Sequence, residues 1–329
     1  MTTLHEMLVD LPGPDEAAAA AIHERAATIL RPSGALAWLD ELAAWIGGWH
    51  GTARPAVERP VGLIFAADHG VAAAEEVSAY PVQVTAAMFA AYRQGRSTIN
   101  AFARLAGATV HALDVGIGRP TADIRYEAAL SPSRFEEIVA VAVDAVRQLD
   151  ADLLILGEMG IGNTTPSAAI SAALAGGETA AWVGRGTGVD DAGLARKRAA
   201  VQQAVRRIAG VTDPLEVLRE VGGAELVAIA AAAVAARHRS LPVVLDGYVV
   251  TSSVLPLVMT APDALDHCIV GHCSAEPGHR RLLERLGKRP LLDLDMRLGE
   301  GSGAMAAVPL VAMACAGITD VPTFDEWFG

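Results

Sequence analysis

The most informative stretch of the chain is residues 153–175, which read LLILGEMGIGNTTPSAAISAALA. Its first four residues are all apolar and predict a short buried strand, and residues 157–165 form a Gly-rich turn. The Ala-rich run that follows predicts a helix, with Thr165 as its N-cap and Pro166 as its first helical residue. A strand, a glycine turn and a helix in this order form the repeating unit of a parallel α/β sheet.

The same unit recurs along the chain. Further strands are predicted at residues 61–67, 109–115, 180–183, 242–245, 268–271 and 291–296. Helices are predicted between them, including a long one over residues 85–106. Apolar strands that alternate with helices indicate an α/β fold, with an open, mostly parallel, Rossmann-like sheet covered by helices on both faces. Ligands of such sheets bind beyond the carboxyl ends of the strands, so we expect the function to reside in the strand-end loops.

Composition limits the possible partners. Among the 329 residues, 26 Lys and Arg against 38 Asp and Glu give a net charge of −12, which excludes a broad basic surface for nucleic acid but not a small anionic ligand. Three cysteines are too few for a secreted disulfide framework, and the N-terminus lacks a secretory signal pattern. The apolar runs 224–236 and 304–316 are shorter than the ~20 residues that span a membrane. We therefore expect a cytoplasmic protein with neither nucleic acid nor membrane as a partner.

The loop at residues 157–165 has the features of a phosphate site. Its glycines allow backbone N–H groups to converge, and the N-terminus of the following helix faces it. The spacing of Gly157 and Gly162 resembles a nucleotide-binding P-loop, but Asn163 stands where that motif needs Lys. A single phosphate is therefore favoured over a triphosphate, and a P-loop kinase is disfavoured. A tight turn without a ligand is the structural alternative.

A second Gly-rich loop, residues 184–188, precedes a helix that carries Lys197. Asp190 or Asp191 is most simply the N-cap of that helix. The functional alternative is a ribose-phosphate site. Because the acidic pair follows Thr187-Gly188 rather than preceding it, a diphosphate-activated sugar with Mg²⁺ is not indicated.

A third loop, residues 297–303, places Glu300 between Gly299 and Gly301. A carboxylate flanked by glycines is sterically accessible and can be partly desolvated. Burial would raise its pKa toward neutral pH, as a general base requires. The alternative is a helix-entry Glu that interacts with the helix dipole.

Two other groups of residues suggest chemistry less strongly. His267, Cys268, His272 and Cys273 lie close together in the sequence, but their spacing does not match a zinc site, and buried thiols are the better interpretation. Asp68-His69 is either a catalytic pair or a strand end at which Asp68 accepts from neighbouring backbone amides.

Taken in order, these motifs resemble the nicotinate-nucleotide–dimethylbenzimidazole phosphoribosyltransferase family. The resemblance covers nearly the whole chain and is carried by residues 31–34, 66–71, 77–81, 157–165, 184–191, 245–247, 274–279 and 297–303. It implies transfer of the phosphoribosyl group of nicotinate mononucleotide to 5,6-dimethylbenzimidazole, without a metal or redox cofactor. Departures from the family pattern are small; for example, Ser302 stands for its Thr.

The resemblance also implies roles for individual residues. Glu300 would be the catalytic base. Independently of the resemblance, an oxocarbenium-like transition state would be stabilised by a nearby carboxylate such as Glu158. The acceptor base would be bound by Ser78, Gln83 and Leu298. Phosphate and ribose would be bound by the two Gly-rich loops and one lysine, namely Gly160, Gly162, Asn163, Thr164, Thr165, Gly184, Arg185, Gly186 and Lys197.

The family's architecture implies a homodimer with two domains in each chain. Residues 61–303 would form the large α/β catalytic domain, and residues 1–60 with 304–329 a small helical domain. Two functional alternatives stay open: a sister transferase with another acceptor, such as adenine, another benzimidazole or a phenol, and a non-catalytic nucleotide-binding regulator.

Overall fold

A computed structural model describes residues 3–329 and has a six-stranded, all-parallel sheet in the order β2-β1-β3-β4-β5-β6. The strands are β1 Pro60–Ala67, β2 Thr109–Gly116, β3 Leu153–Met159, β4 Val243–Leu245, β5 Cys268–His272 and β6 Pro290–Leu292. This confirms the predicted α/β class and parallel sheet.

Helices surround the sheet. In chain order they are α1 Leu4–Met7, α2 Glu16–Thr28, α3 Trp38–His50, α4 Gly70–Ala74, α5 Val84–Arg93, α6 Thr98–Ala106, α7 Pro132–Arg147, α8 Thr164–Ala175, α9 Asp191–Arg207, α10 Pro214–Val221, α11 Ala224–Arg237, α12 Tyr248–Thr260, α13 Pro277–Leu286, α14 Ser302–Thr319 and α15 Phe324–Phe328.

The sheet separates two apolar clusters, because successive side chains of a strand point to opposite faces. In β1, Leu63 and Phe65 belong to the cluster that includes α7, α8 and α11, whereas Ile64 and Ala66 belong to the cluster that includes α3, α6 and α14. All eight residues of β1 and all seven of β3 are buried. The continuous apolar runs in the sequence therefore reflect burial on both faces.

The strand order determines where a ligand can enter. The connection from β1 leads outward to β2, and the chain then crosses to β3 on the other side of β1. In doubly wound sheets the crevice at this reversal, outside the carboxyl ends of the strands, is where ligands bind. The Gly-rich loop after β3 begins at this point.

The two chain ends meet at one side of the molecule. Ile29 pairs with Thr323 in an isolated antiparallel bridge, and Arg25 forms an ion pair with Glu326 at 3.0 Å. Helix α14 packs both on α3 and on β5 of the sheet. The division of the chain into two domains stays a prediction.

Several predicted boundaries were wrong for local reasons. Residues 180–183 are not a strand, because Thr179–Trp182 forms a 3₁₀ helix in which the Trp182 indole donates to the carbonyl of Gly176. The predicted helix over 85–106 is two helices, interrupted where Gly95 adopts a φ of +70° and Ser97 caps α6. The last strand ends early, since Asp295 has a φ of +55° that does not continue a strand.

Helix α14 is the one helix in residues 3–329 that is long and apolar enough to span a membrane by length and composition. About half of it, 56%, is buried inside the protein. It therefore serves as a core helix that covers one face of the sheet.

Candidate active site

Loops at the carboxyl ends of the strands enclose a cleft of about 500 Å³ at the predicted edge of the sheet. The sequence-predicted residues that line it are Glu158, Glu300, Ser78, Leu298, Gly160, Gly162, Asn163, Thr164 and Gly186. Five others are not among its lining residues: Gln83, Thr165, Gly184, Arg185 and Lys197. The cleft thus brings together loops that lie far apart in the sequence.

The Glu300 loop has an unusual backbone. Gly299, Glu300 and Gly301 have φ values of +81°, +67° and +84°, all in the left-handed region. For a residue with a side chain this conformation costs on the order of 1 kcal/mol, and it occurs most often where function requires it. Glu300 is only 6% exposed, yet it still lines the cleft.

Two groups hold this loop in place. A Cβ at Gly157 would lie 2.5 Å from the Glu300 carbonyl oxygen, so only glycine permits the loop to pack against β3. Immediately after β4, the buried Asp246 carboxylate accepts from the backbone N–H groups of Gly301 at 3.2 Å and Ala304 at 2.8 Å. Asp246 had no predicted role, although an Asp at the end of a strand and before a glycine is a recognisable sequence signal.

Asp246 is the carboxylate of this site that is held ionised. Burial opposes its ionisation, but the adjacent His272 and the amides of Ala304 and Gly247 outweigh that effect and lower its pKa. Nε2 of His272 lies 3.4 Å from Asp246 Oδ1. Both side chains line the cleft beside Glu300.

Glu158 lies across from Glu300. Its Oε1 accepts from the Glu300 backbone N–H at 3.4 Å, and its Oε2 accepts from the side-chain amide of Asn163. Burial raises the pKa of Glu158 to about 8; Asn163 opposes this effect, whereas the charges of Glu225 and Asp246 add to it.

Burial likewise raises the pKa of Glu300 to about 7, opposed by the hydroxyl of Tyr92 and reinforced by Asp246. Two carboxyls with pKa values near neutrality in one cleft are typical of acid–base sites. Tyr92 lies on α5 beneath the cleft and had no local signal in the sequence.

At the other end of the cleft, α8 begins at Thr164 with Asn163 as N-cap, so the predicted start at Thr165 and Pro166 was late. Pro166 is tolerated because it falls in the first turn, where its missing N–H has no helical partner. The Asn163 side chain makes no capping bond, since it donates to Glu158 instead. The helix N-terminus and Gly162, with a φ of +89°, face the cleft as a candidate anion site.

Lys197 lies beneath this anion site and not on its surface. Its ammonium donates to Thr164 Oγ1 at 2.8 Å, and the residue is 1% exposed. Burial lowers its pKa to about 8, partly offset by the charge of Glu276. The lysine can therefore act on a bound anion through Thr164 or after a small movement.

The loop at residues 184–188 separates into an inner and an outer part. The Gly186 N–H donates to Glu276 Oε1 at 3.0 Å, and its carbonyl accepts from Arg297 at 3.2 Å. Arg185 points outward and pairs with Asp191 at 2.6 Å. The N-cap prediction is confirmed for Asp190, which accepts from Gly193 N–H at 2.8 Å.

The remaining wall of the cleft is largely aliphatic. Val84, Met88, Ile161 and Leu298 contribute apolar surface. Gln83 precedes α5 as its N-cap, and its side chain is exposed.

The structure also places the His–Cys cluster at residues 267–273 and the Asp68-His69 pair. In residues 3–329 no group of three or more His, Cys, Asp or Glu could hold a metal ion, and Cys268 and Cys273 are buried. Asp68 Oδ2 accepts from the Gly118 N–H at 2.8 Å, while His69 pairs with buried Glu225 at 2.6 Å.

Comparison with known proteins identifies the family to which the chain belongs. Residues 11–327 match a family model described as phosphoribosyltransferase. A nicotinate-nucleotide–dimethylbenzimidazole phosphoribosyltransferase of Mesorhizobium japonicum is 48% identical over 98% of this chain and 96% of its own length. One of the same name from Cereibacter sphaeroides is 45% identical over 96% of this chain and 93% of its own length.

A solved structure agrees. The crystal structure of CobT from Thermus thermophilus superimposes with a TM-score of 0.90 at 42% identity, and covers 95% of this chain and 98% of that one. The chain therefore belongs to the nicotinate-nucleotide–dimethylbenzimidazole phosphoribosyltransferase family.

Proposed function

We propose that this chain transfers the phosphoribosyl group of nicotinate mononucleotide to 5,6-dimethylbenzimidazole, with Glu300 as the general base. The products are α-ribazole 5′-phosphate and nicotinate. The observation that carries the proposal is a buried Glu300, with a pKa of about 7, held between two left-handed glycines in a cleft that has an apolar side and an anion-binding side.

The apolar side suits the acceptor. A flat, neutral benzimidazole can pack against Val84, Met88 and Ile161 and lose water on both faces. Ser78 and Leu298 extend the same wall toward the mouth of the cleft. The acceptor has one ring N–H, and a single carboxylate such as Glu300 is the group needed to accept its proton.

The anion-binding side suits the 5′-phosphate. Backbone N–H groups of Gly160, Gly162 and Thr164, together with the N-terminus of α8, stabilise negative charge without a metal. The Lys197 ammonium at Thr164 adds a positive charge. We assign the ribose to the space between this side and Glu300, bordered by Gly186.

The reaction is a displacement at C1′. As Glu300 takes the proton from one acceptor nitrogen, the lone pair of the other forms the new N–C1′ bond. The bond from C1′ to the nicotinate ring nitrogen breaks, and its electrons neutralise the positive charge of that nitrogen, so the leaving group needs no proton. Attack from the opposite face converts the β linkage to α.

Glu158 has the second role. The transition state carries positive charge on the ribose, and a carboxylate nearby stabilises it. At neutral pH the raised pKa of about 8 keeps most of Glu158 protonated. A cationic substrate next to it lowers that pKa and so favours the ionised form during the reaction.

We further propose that the enzyme is a cytoplasmic homodimer whose ligands are small molecules. Gln83, Thr165, Gly184 and Arg185 retain their proposed binding roles only if they approach the ligands by movement or in the assembled dimer. Sedimentation or light scattering of the purified protein gives the subunit number directly.

The function is tested by mixing the purified protein with nicotinate mononucleotide and 5,6-dimethylbenzimidazole and separating the products by chromatography. We expect one nicotinate released for each α-ribazole 5′-phosphate formed. Adenine and phenol in place of the acceptor test for a sister transferase. Binding of the nucleotide without release of nicotinate from any acceptor would contradict the proposal.

A further inference from the structure

Two loops from opposite substrate sides touch each other at the cleft. Thr187, in the Gly-rich loop of the nucleotide side, has its Oγ1 2.9 Å from Ser78 Oγ on the acceptor side. The same oxygen accepts from the backbone N–H of Ala79 at 2.9 Å. Both hydroxyls line the cleft, although the two residues are 109 positions apart in the sequence.

The Ser78–Thr187 hydroxyl pair has one proton to offer to a ligand. Each hydroxyl has one proton to donate and can accept two hydrogen bonds. Thr187 accepts from Ala79, and Ser78 accepts from the Tyr80 N–H at 3.2 Å. One hydroxyl then donates to the other, which leaves one proton of the pair available to a ligand atom in the cleft.

The loop that carries Thr187 is also attached to the proposed phosphate site. A Cβ at Gly186 would lie 2.9 Å from both Lys197 Nζ and Thr164 Oγ1, so this glycine packs directly on the lysine–threonine contact. The Gly186 N–H and carbonyl are bonded to Glu276 and Arg297. A ligand that fixes Lys197 and Thr164 thereby fixes the position of the neighbouring Thr187.

We propose that Thr187 is a positioning residue that couples the nucleotide site to the acceptor site. The identity of the two ligands rests on the function proposed above. A phosphate bound at Thr164 and Lys197 holds Gly186 in place, Thr187 follows, and its hydrogen bonds hold Ser78 and Ala79 in the acceptor wall. Coupling between two sites is reciprocal, so each ligand strengthens the binding of the other.

Calorimetry tests this coupling without turnover. Ribose 5-phosphate carries the phosphate and ribose but no leaving base, so 5,6-dimethylbenzimidazole can be titrated in its presence and absence. In the wild type we expect its Kd to fall about two- to tenfold when ribose 5-phosphate is saturating, since that is the contribution of one or two neutral hydrogen bonds. In Thr187→Val the Kd should be the same in both titrations.

Two matched variants serve as controls. Thr187→Ser keeps the hydroxyl and should restore the coupling. Thr109→Val makes the same chemical change at an exposed position at the start of β2, remote from the cleft, and should behave as the wild type. Valine keeps the shape of threonine, whereas serine loses its methyl group, so an effect of shape alone would not follow this pattern.

Hydrogen exchange gives a second readout that does not depend on the acceptor. Saturating ribose 5-phosphate should slow exchange of the Ala79 and Tyr80 amides in the wild type and in Thr187→Ser, but not in Thr187→Val. The proposal is overturned if the wild type shows no such protection, or if Thr187→Val keeps both the protection and the coupling. If the proposed function is wrong but the coupling is right, the wild type will release no nicotinate and will still show this protection.

Discussion

The pH dependence of the reaction follows from the environment of Glu300. The carboxyl must lose its proton before it can accept one from the acceptor base, and burial raises its pKa to about 7. For that pKa the ionised fraction is ~0.9 at pH 8, ~0.5 at pH 7, ~0.1 at pH 6 and ~0.01 at pH 5. We therefore expect kcat/KM for the nucleotide, which reports the free enzyme, to fall at least about tenfold for each pH unit below neutrality.

Glu158 acts in the same direction. Its pKa of about 8 extends the rise in rate above pH 7, because the ionised form is the one that stabilises positive charge. Since the two carboxyls lie in one cleft, the apparent pKa values belong to the pair. A variant that affects only one carboxyl is needed to assign the step at lower pH in the pH–rate profile to that carboxyl.

Tyr92→Phe is that variant. The Tyr92 hydroxyl lowers the pKa of Glu300, so its removal should move the lower-pH step of the profile upward. Tyr126→Phe, at an exposed tyrosine outside the cleft, should leave the profile unchanged.

The assay is nicotinate release between pH 5 and 9, with the acceptor's own ionisation measured separately and enzyme recovery checked at neutral pH after each exposure. A flat kcat/KM from pH 5.5 to 8 would refute the reasoning. So would a downward shift of the lower step in Tyr92→Phe.

Two further predictions concern the positions of the loop and the phosphate. Gly157→Ala should lower kcat at least tenfold with little change in either KM, because the new Cβ would lie 2.5 Å from the Glu300 carbonyl oxygen. Gly210→Ala is the control in the same steady-state assay, because nothing lies within 4 Å of a Cβ at that position. An unchanged kcat in Gly157→Ala would show that the loop tolerates displacement. Lys197→Met should raise KM for the nucleotide about 10- to 100-fold and KM for the acceptor much less, as expected for loss of a charged hydrogen bond. Arg198→Ala, on the exposed side of α9, is the control and should change neither KM. Equal increases in both KM values would contradict a role on the phosphate side.

Much of the fold was predictable because a strand buried on both faces of a parallel sheet is a continuous apolar run in the sequence. Strands β1 and β3 are continuous apolar runs, and the turn after β3 is visible from its glycines. Residues 180–183 show where this pattern fails. They are apolar as well, but Thr179–Trp182 forms a 3₁₀ helix in which the Trp182 indole donates to the Gly176 carbonyl.

The candidate site was predictable only where one loop contains the whole signal. Glu300 between two glycines is such a case, and the left-handed backbone explains why those glycines are there. The proposed roles of Asp246, Tyr92 and Thr187 depend on contacts with residues far away in the sequence, which no local pattern predicts. Lys197 was a candidate from its position after the second Gly-rich loop, but its burial beneath Thr164 depends on how α9 packs against α8.

The central claim, that Glu300 is the general base, is tested most directly by kcat for nicotinate release in purified, folded Glu300→Ala. Loss of a positioned general base predicts a decrease of about 10²-fold or more, with KM for nicotinate mononucleotide close to that of the wild type. Wild-type turnover in that variant would contradict the assignment.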